Sequence, residues 1–119
     1  MIEIGNRCRR QPPPPRVVFE ALAEPGRDPY RPWLLLLGDE QCPRILTSTP
    51  PAELTWSSLW RRRPDAVVRF QLERSADGGT DLRWILHVEE PAPDESLVGH
   101  MRRRLNQLIN ANLRYTFGQ

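Results

Sequence analysis

Residues 67–88, Val-Val-Arg-Phe-Gln-Leu-Glu-Arg-Ser-Ala-Asp-Gly-Gly-Thr-Asp-Leu-Arg-Trp-Ile-Leu-His-Val, decide the fold of this chain. Ala66, Val68, Phe70 and Leu72 alternate with Val67, Arg69, Gln71 and Glu73. Leu82, Trp84, Leu86 and Val88 alternate in the same way with Arg83, Ile85, His87 and Glu89. A period of two sends successive side chains to opposite faces of a strand, so each strand has one apolar and one largely polar face. Asp77-Gly78-Gly79-Thr80 joins them, because glycine supplies the positive φ of a tight turn. The two strands therefore form an antiparallel hairpin covered on one side only.

The same period extends upstream. Leu54, Trp56, Ser58 and Trp60 alternate with Glu53, Thr55 and Ser57, giving a third strand that turns at Pro64-Asp65, and a further strand fits residues 44–48. Residues 1–10 alternate weakly through Ile2, Ile4 and Cys8 and form a first strand. The proline run 12–15 leads into a helix with Val18, Phe19 and Leu22 on one face, ended by Pro25-Gly26. Pro32 opens a second short helix through Leu37, stopped by Gly38, although so short an apolar run fits a buried strand nearly as well. After Pro91-Ala92-Pro93, Asp94 caps a final helix over residues 94–115, roughly 33 Å long. Leu97, Met101, Leu105, Leu108, Ile109 and Leu113 form its apolar stripe, with Arg102, Arg103 and Arg104 expected to fan over the opposite face. The stripe and the apolar sheet face are the surfaces of matching size, and they are expected to bury each other.

With 119 residues, 39% hydrophobic and 27% charged, the chain suits one globular domain spanning residues 1–119. All 17 basic residues are arginine; together with 13 prolines this reflects a GC-rich, bacterial codon bias rather than chemistry. The net charge of +2 creates no field that would draw in a polyanion. The longest apolar run, Trp33 to Leu37, is far too short to cross a bilayer, and no signal segment is visible, so the cytosol is the expected compartment. There, Cys8 and Cys42 are expected to be reduced thiols.

A strand, two short helices, a run of antiparallel strands and one long terminal helix is the order of the helix-grip fold, an α+β architecture. The chain resembles the SRPBCC or START-like superfamily, which includes polyketide cyclases and dehydrases, lipid-transfer domains and birch-pollen-allergen-like proteins. The resemblance rests on Pro14-Pro15-Arg16-Val17-Val18-Phe19-Glu20-Ala21-Leu22 followed by Pro32-Trp33, on Leu54-Thr55-Trp56-Ser57-Ser58 and on Val68-Arg69-Phe70-Gln71-Leu72. It closes with Gly79-Thr80-Asp81-Leu82-Arg83-Trp84 and the helix ending in Leu105 to Leu113, and covers almost the whole chain. Members of the superfamily usually carry about two more strands before the one holding Trp56, and the segment from Gly38 to Thr49 leaves little room for them. The sheet is expected to be abbreviated.

The resemblance implies binding of a hydrophobic small molecule in an apolar cleft between sheet and terminal helix. Trp33, Trp56, Phe70, Trp84, Met101 and Leu105 are the expected lining, with Ser58 as one orienting hydroxyl. Each tryptophan also reads as ordinary core filling. An empty 300 Å³ pocket would cost roughly 7 kcal/mol, comparable to the stability of a small domain, so the pocket must be small, wet, normally occupied, or closed by side chains or a second subunit. A polyketide cyclase or dehydrase type of enzyme is an alternative, working by substrate shaping and one acid or base. A protein-interaction module resembling chaperone-ATPase activators is another, and a sheet edge left bare favours homodimer formation. No catalytic, metal-binding or nucleotide-binding motif is recognisable, and neither His87 nor His100 has a ligand partner at useful spacing, so no catalytic residue, metal or cofactor is assigned. The triplets Arg61-Arg62-Arg63 and Arg102-Arg103-Arg104 read as solvated faces rather than a nucleic-acid site.

Overall fold

The computed structural model of the chain describes residues 1–118. In chain order it contains β1 (Ile2–Gln11), α1 (Pro15–Ala23), β2 (Ile45–Thr49), β3 (Glu53–Trp56), β4 (Val67–Arg74), β5 (Thr80–Val88) and α2 (Glu95–Gln107). The last helix continues as a π-helical segment, Leu108–Leu113, and a final turn, α3 (Arg114–Thr116). The strands form one antiparallel sheet in the order β1-β5-β4-β3-β2. The α+β helix-grip class expected from the sequence is what forms.

Register brings the apolar positions of neighbouring strands side by side. Trp84 pairs with Phe70 and Phe70 with Leu54, while Leu86 pairs with Val68 and Val68 with Trp56. These residues face Met101, Leu105, Leu108, Ile109 and Leu113 of the terminal helix and Val18, Phe19 and Leu22 of α1 in one buried cluster. The hairpin turn between β4 and β5 uses Gly78 at φ +88°. Its Asp77 carboxylate accepts from the Ser75 hydroxyl at 2.5 Å and the Gly79 N–H at 3.1 Å, and pairs with Arg10. Those contacts hold the Asp77 carboxyl down at about 2. The expected Asp94 cap is present: its Oδ1 accepts from the Leu97 N–H at 2.8 Å.

Three expectations are corrected. Residues 32–37 are irregular and extended rather than helical, leaving α1 as the one short helix ahead of β2. Trp33 is buried, and from Leu34 to Leu37 burial alternates, with Leu34 and Leu36 half-buried and Leu35 and Leu37 exposed. Two carbonyls of this segment accept from side chains of the terminal helix, Trp33 O from Asn112 Nδ2 at 3.2 Å and Leu35 O from Arg104 Nη2 at 2.8 Å. A backbone whose acceptors find such partners has no need of helical hydrogen bonds. Residues 33–40 thus form a strap that runs antiparallel along the terminal helix.

The second correction concerns the strand through Trp56, which stops there instead of continuing to Trp60. Beyond it, Trp60 makes a single bridge to Glu40 of the strap. The third concerns β1. A bulge between Glu3 and Gly5 shifts the register, so Gly5, Arg7, Arg9 and Gln11 pair with Leu86, Trp84, Leu82 and Thr80 on the inward face, while Cys8 pairs with Arg83 on the outer one.

Candidate functional site

All of the side chains expected to line a cleft are buried, and all but Ser58 belong to the apolar cluster between sheet and helices. Trp33 is 4% exposed, Trp84 2%, Ser58 1%, and Trp56, Phe70, Met101 and Leu105 are fully buried. Trp33 stacks on Trp56 with ring centroids 6.1 Å apart, and Trp56 meets Phe70 edge-on at 4.7 Å. Trp56 is locked further, its indole N–H donating to Leu22 O at 3.0 Å. Ser58 stands apart, because its hydroxyl donates to Arg63 O at 2.7 Å and accepts from the Trp60 N–H at 3.0 Å. It builds the turn after β3.

Polar satisfaction singles out a different part of this layer. Among the described residues, three buried side-chain polar atoms lack a partner: Trp60 Nε1, Trp84 Nε1 and Gln11 Oε1. A buried donor or acceptor left unpaired costs about 1–3 kcal/mol, so such groups are uncommon and call for a reason. Trp84 also lines a cleft of about 300 Å³ at the seam between β1 and α2, together with residues 3–7, Arg102 and Asn106. The bulge sits at this seam, and Arg102 Nε donates to Ile4 O there at 2.5 Å. Gly5 lies so close to the indole that a Cβ would stand 2.8 Å from Trp84 Cζ3. From the cleft, amides lead inward: Asn110 Nδ2 donates to Asn106 Oδ1 at 3.2 Å, and Gln11 Nε2 to Asn110 Oδ1 at 3.5 Å.

The opposite side of the helix is closed by charge. Arg104 Nε and Nη2 donate to Glu40 Oε2 and Oε1 at 2.7 and 2.8 Å. Glu40 Oε1 also accepts from the Leu37 N–H at 2.8 Å. The bond to Glu40 raises the Arg104 pKa above its ordinary value. His100 Nε2 lies 3.2 Å from Asp39 Oδ2 one turn earlier.

This overturns the expectation that the arginine triplets are wholly solvated. Arg104 is 5% exposed, because at 100° per residue it falls back onto the stripe seven positions after Leu97. Arg63 grips Asp65 through two bonds of 2.9 and 2.8 Å and donates to Glu89 O and Pro91 O, tying the turn before β4 to the end of β5. The Arg63 bonds, aided by the Glu89 N–H, hold the Asp65 carboxyl at about 2.

Folding also gives His100 the neighbours that sequence spacing did not suggest, since it brings Asp39, Glu40 and His100 together with ligand atoms within 4.8 Å of one another. Chemically the trio suits a salt link better than a cation site. Both Glu40 oxygens are taken by Arg104, whose guanidinium would repel a metal ion.

No protein-family model matches the chain, and no curated protein matches it in sequence at a significant level. Solved structures do match in shape. CalU16 from Micromonospora echinospora aligns with a TM-score of 0.65 at 22% identity, over 88% of this chain and 70% of its own. The Aha1 dimer from Colwellia psychrerythraea gives 0.69 at 15% identity, over 93% and 92%. Ara h 8.0201 gives 0.59 at 16% identity, over 97% of both chains. At these identities the likeness is one of fold, and the fold is the helix-grip arrangement of a sheet closed by its terminal helix.

Proposed function

We propose that this chain is a START-like binding domain that holds an apolar small molecule carrying a hydrogen-bond acceptor between sheet and terminal helix, with Trp84 as its central contact. The observation that carries this reading is that Trp84, which lines a cleft at the β1–α2 seam, has its indole N–H buried without an acceptor. A ligand acceptor placed there would relieve an unpaired donor and gain the aromatic contact area of Trp84, Phe70 and Trp56. Met101 and Leu105 would supply the adaptable wall opposite.

The interior is closed by side chains, so the ligand must part the helix from the sheet. The seam with β1 is the side that opens, because it is fastened mainly by Arg102 to Ile4 O and Arg114 to Arg10 O, whereas the strap side carries the buried Arg104–Glu40 pair. The π-helical segment Leu108–Leu113 lies in this stretch of the helix, and such segments often accompany function. Binding is preferred to catalysis because the charged groups buried in the grip, Glu40 and Arg104, neutralise each other. Titration of the protein with decanol and with aromatic alcohols, followed by tryptophan emission and melting temperature, tests the reading. Saturable quenching with a rising melting temperature supports it; no change with any of them overturns it.

A second reading, self-association, is favoured by β2. Every residue of this edge strand is exposed, including Ile45 and Leu46 at 40% and 46%. No charged side chain within the strand blunts its free backbone groups against pairing with a second copy.

A further inference from the structure

We infer that the molecule bound at the β1–α2 seam bears a carboxylate, seated between Arg7 and Arg102 at the mouth of the cleft with its apolar body directed past Trp84; this inference rests on the binding role proposed above. Arg7 pairs with Trp84 across the β1–β5 ladder, so both side chains belong to the inward face of the sheet. That position would suit an apolar residue, yet an exposed arginine occupies it. Arg102 approaches from the helix and lines the same cleft.

Among the described residues, neither arginine has an acidic partner. Arg102 uses Nε for Ile4 O, and among the described residues its two Nη groups and the whole Arg7 guanidinium form no hydrogen bond or ion pair. This contrasts with Arg63, Arg69 and Arg104, each matched to a carboxylate. Glu3 stands at one lip, so two guanidinium charges face one carboxylate and the cleft holds a single positive excess. One excess charge fits a monoanionic carboxylate better than a phosphate, and a guanidinium fork receives a carboxylate in two parallel bonds.

The mouth is also polar where the interior is apolar. Asn106 lines the cleft and accepts from Asn110, which leaves its own amide N–H groups available to a second carboxylate oxygen. Below this rim lie Trp84 and then the aromatic layer. A head that is charged and a body that is flat or aliphatic would match the two zones in order.

Isothermal titration with decanoate and with decanol at pH 8 tests the inference. Decanoate should bind about tenfold tighter than decanol, the difference expected for a charge-assisted pair of bonds at a partly exposed site. The double variant Arg7→Gln/Arg102→Gln should cut the preference for decanoate over decanol to within about twofold, any change from loosening the seam being common to both compounds. Saturable decanol binding by the variant shows that it is folded and its pocket intact. Equal binding of acid and alcohol by the unmodified chain overturns the carboxylate inference and leaves the apolar site standing. So does decanoate binding that ignores both arginines. Binding of neither compound overturns both readings.

Discussion

Arg104 and Glu40, 64 positions apart in sequence, form a two-pronged ion pair in which the arginine side chain is 6% exposed and the glutamate fully buried. The pair clamps the strap to the terminal helix. Removing one partner strands the other charge, which typically costs 3–5 kcal/mol, whereas replacing both with apolar side chains is often neutral. Arg104→Met alone should therefore lower unfolding free energy by about 3 kcal/mol, and Arg104→Met/Glu40→Met should recover most of the loss. Urea denaturation of both variants checks this; equal losses in the two would show that the pair is not coupled.

Acid sensitivity should trace to Asp65. Its carboxyl is held at about 2 by Arg63, below the ordinary 3.8. A depressed pKa adds stability that is fully present above the unfolded value and vanishes as pH falls through the folded one. Asp65 should thus contribute up to about 2 kcal/mol at pH 6, lost progressively between about pH 4 and pH 2. Asp65→Asn should be less stable than the unmodified protein at pH 6, and the gap should close by pH 2. Denaturation curves across that range give the answer, and a gap that persists unchanged at pH 2 rules the assignment out.

Gly5 is predicted to be intolerant of a side chain. A methyl group there would stand 2.8 Å from the Trp84 ring, and the strand carrying it is held in register by the bulge. Gly5→Ala should cost about 1–3 kcal/mol, as overpacked sites do, and alter Trp84 emission. A melting temperature equal to that of the parent would mean that the seam is looser than the geometry indicates.

Much of this architecture was legible in the sequence. Alternation placed Leu54, Trp56, Phe70, Trp84 and Leu86 on one face, glycine marked the hairpin, and Asp94 marked the start of the terminal helix. Each is a local rule that tertiary contacts reinforced. The strap was not legible, because Trp33 to Leu37 lacks a partner strand and draws its order from Arg104 and Asn112, far along the chain. Arg104 itself left a trace that the reading passed over, its place on the apolar stripe seven residues after Leu97. The bulge in β1 left only Gly5, since a lone glycine within a strand often marks one, and without the bulge Arg7 and Gln11 cannot be assigned to the inward face. The candidate site at the seam was therefore foreseen only through Trp84.

Self-association through β2 gives a further prediction. Leu46→Arg adds a charge to an exposed edge and should cost the monomer less than about 0.5 kcal/mol. Light scattering over a wide concentration range should show a larger species for the parent that the variant lacks. A parent that remains monomeric at the highest concentration contradicts pairing by this edge.

The central claim is that the layer between the indole-bearing sheet face and the terminal helix receives the ligand at Trp84. The four tryptophans each give one indole N–H signal in a two-dimensional nitrogen–proton spectrum of labelled protein. On titration with decanol, the Trp84 signal, unpaired in the free protein, should move downfield as it gains the hydroxyl as acceptor. The Trp56 signal, already bonded to Leu22 O, should hold its position. A Trp84 signal that stays fixed while decanol binds would place the ligand elsewhere and contradict the account.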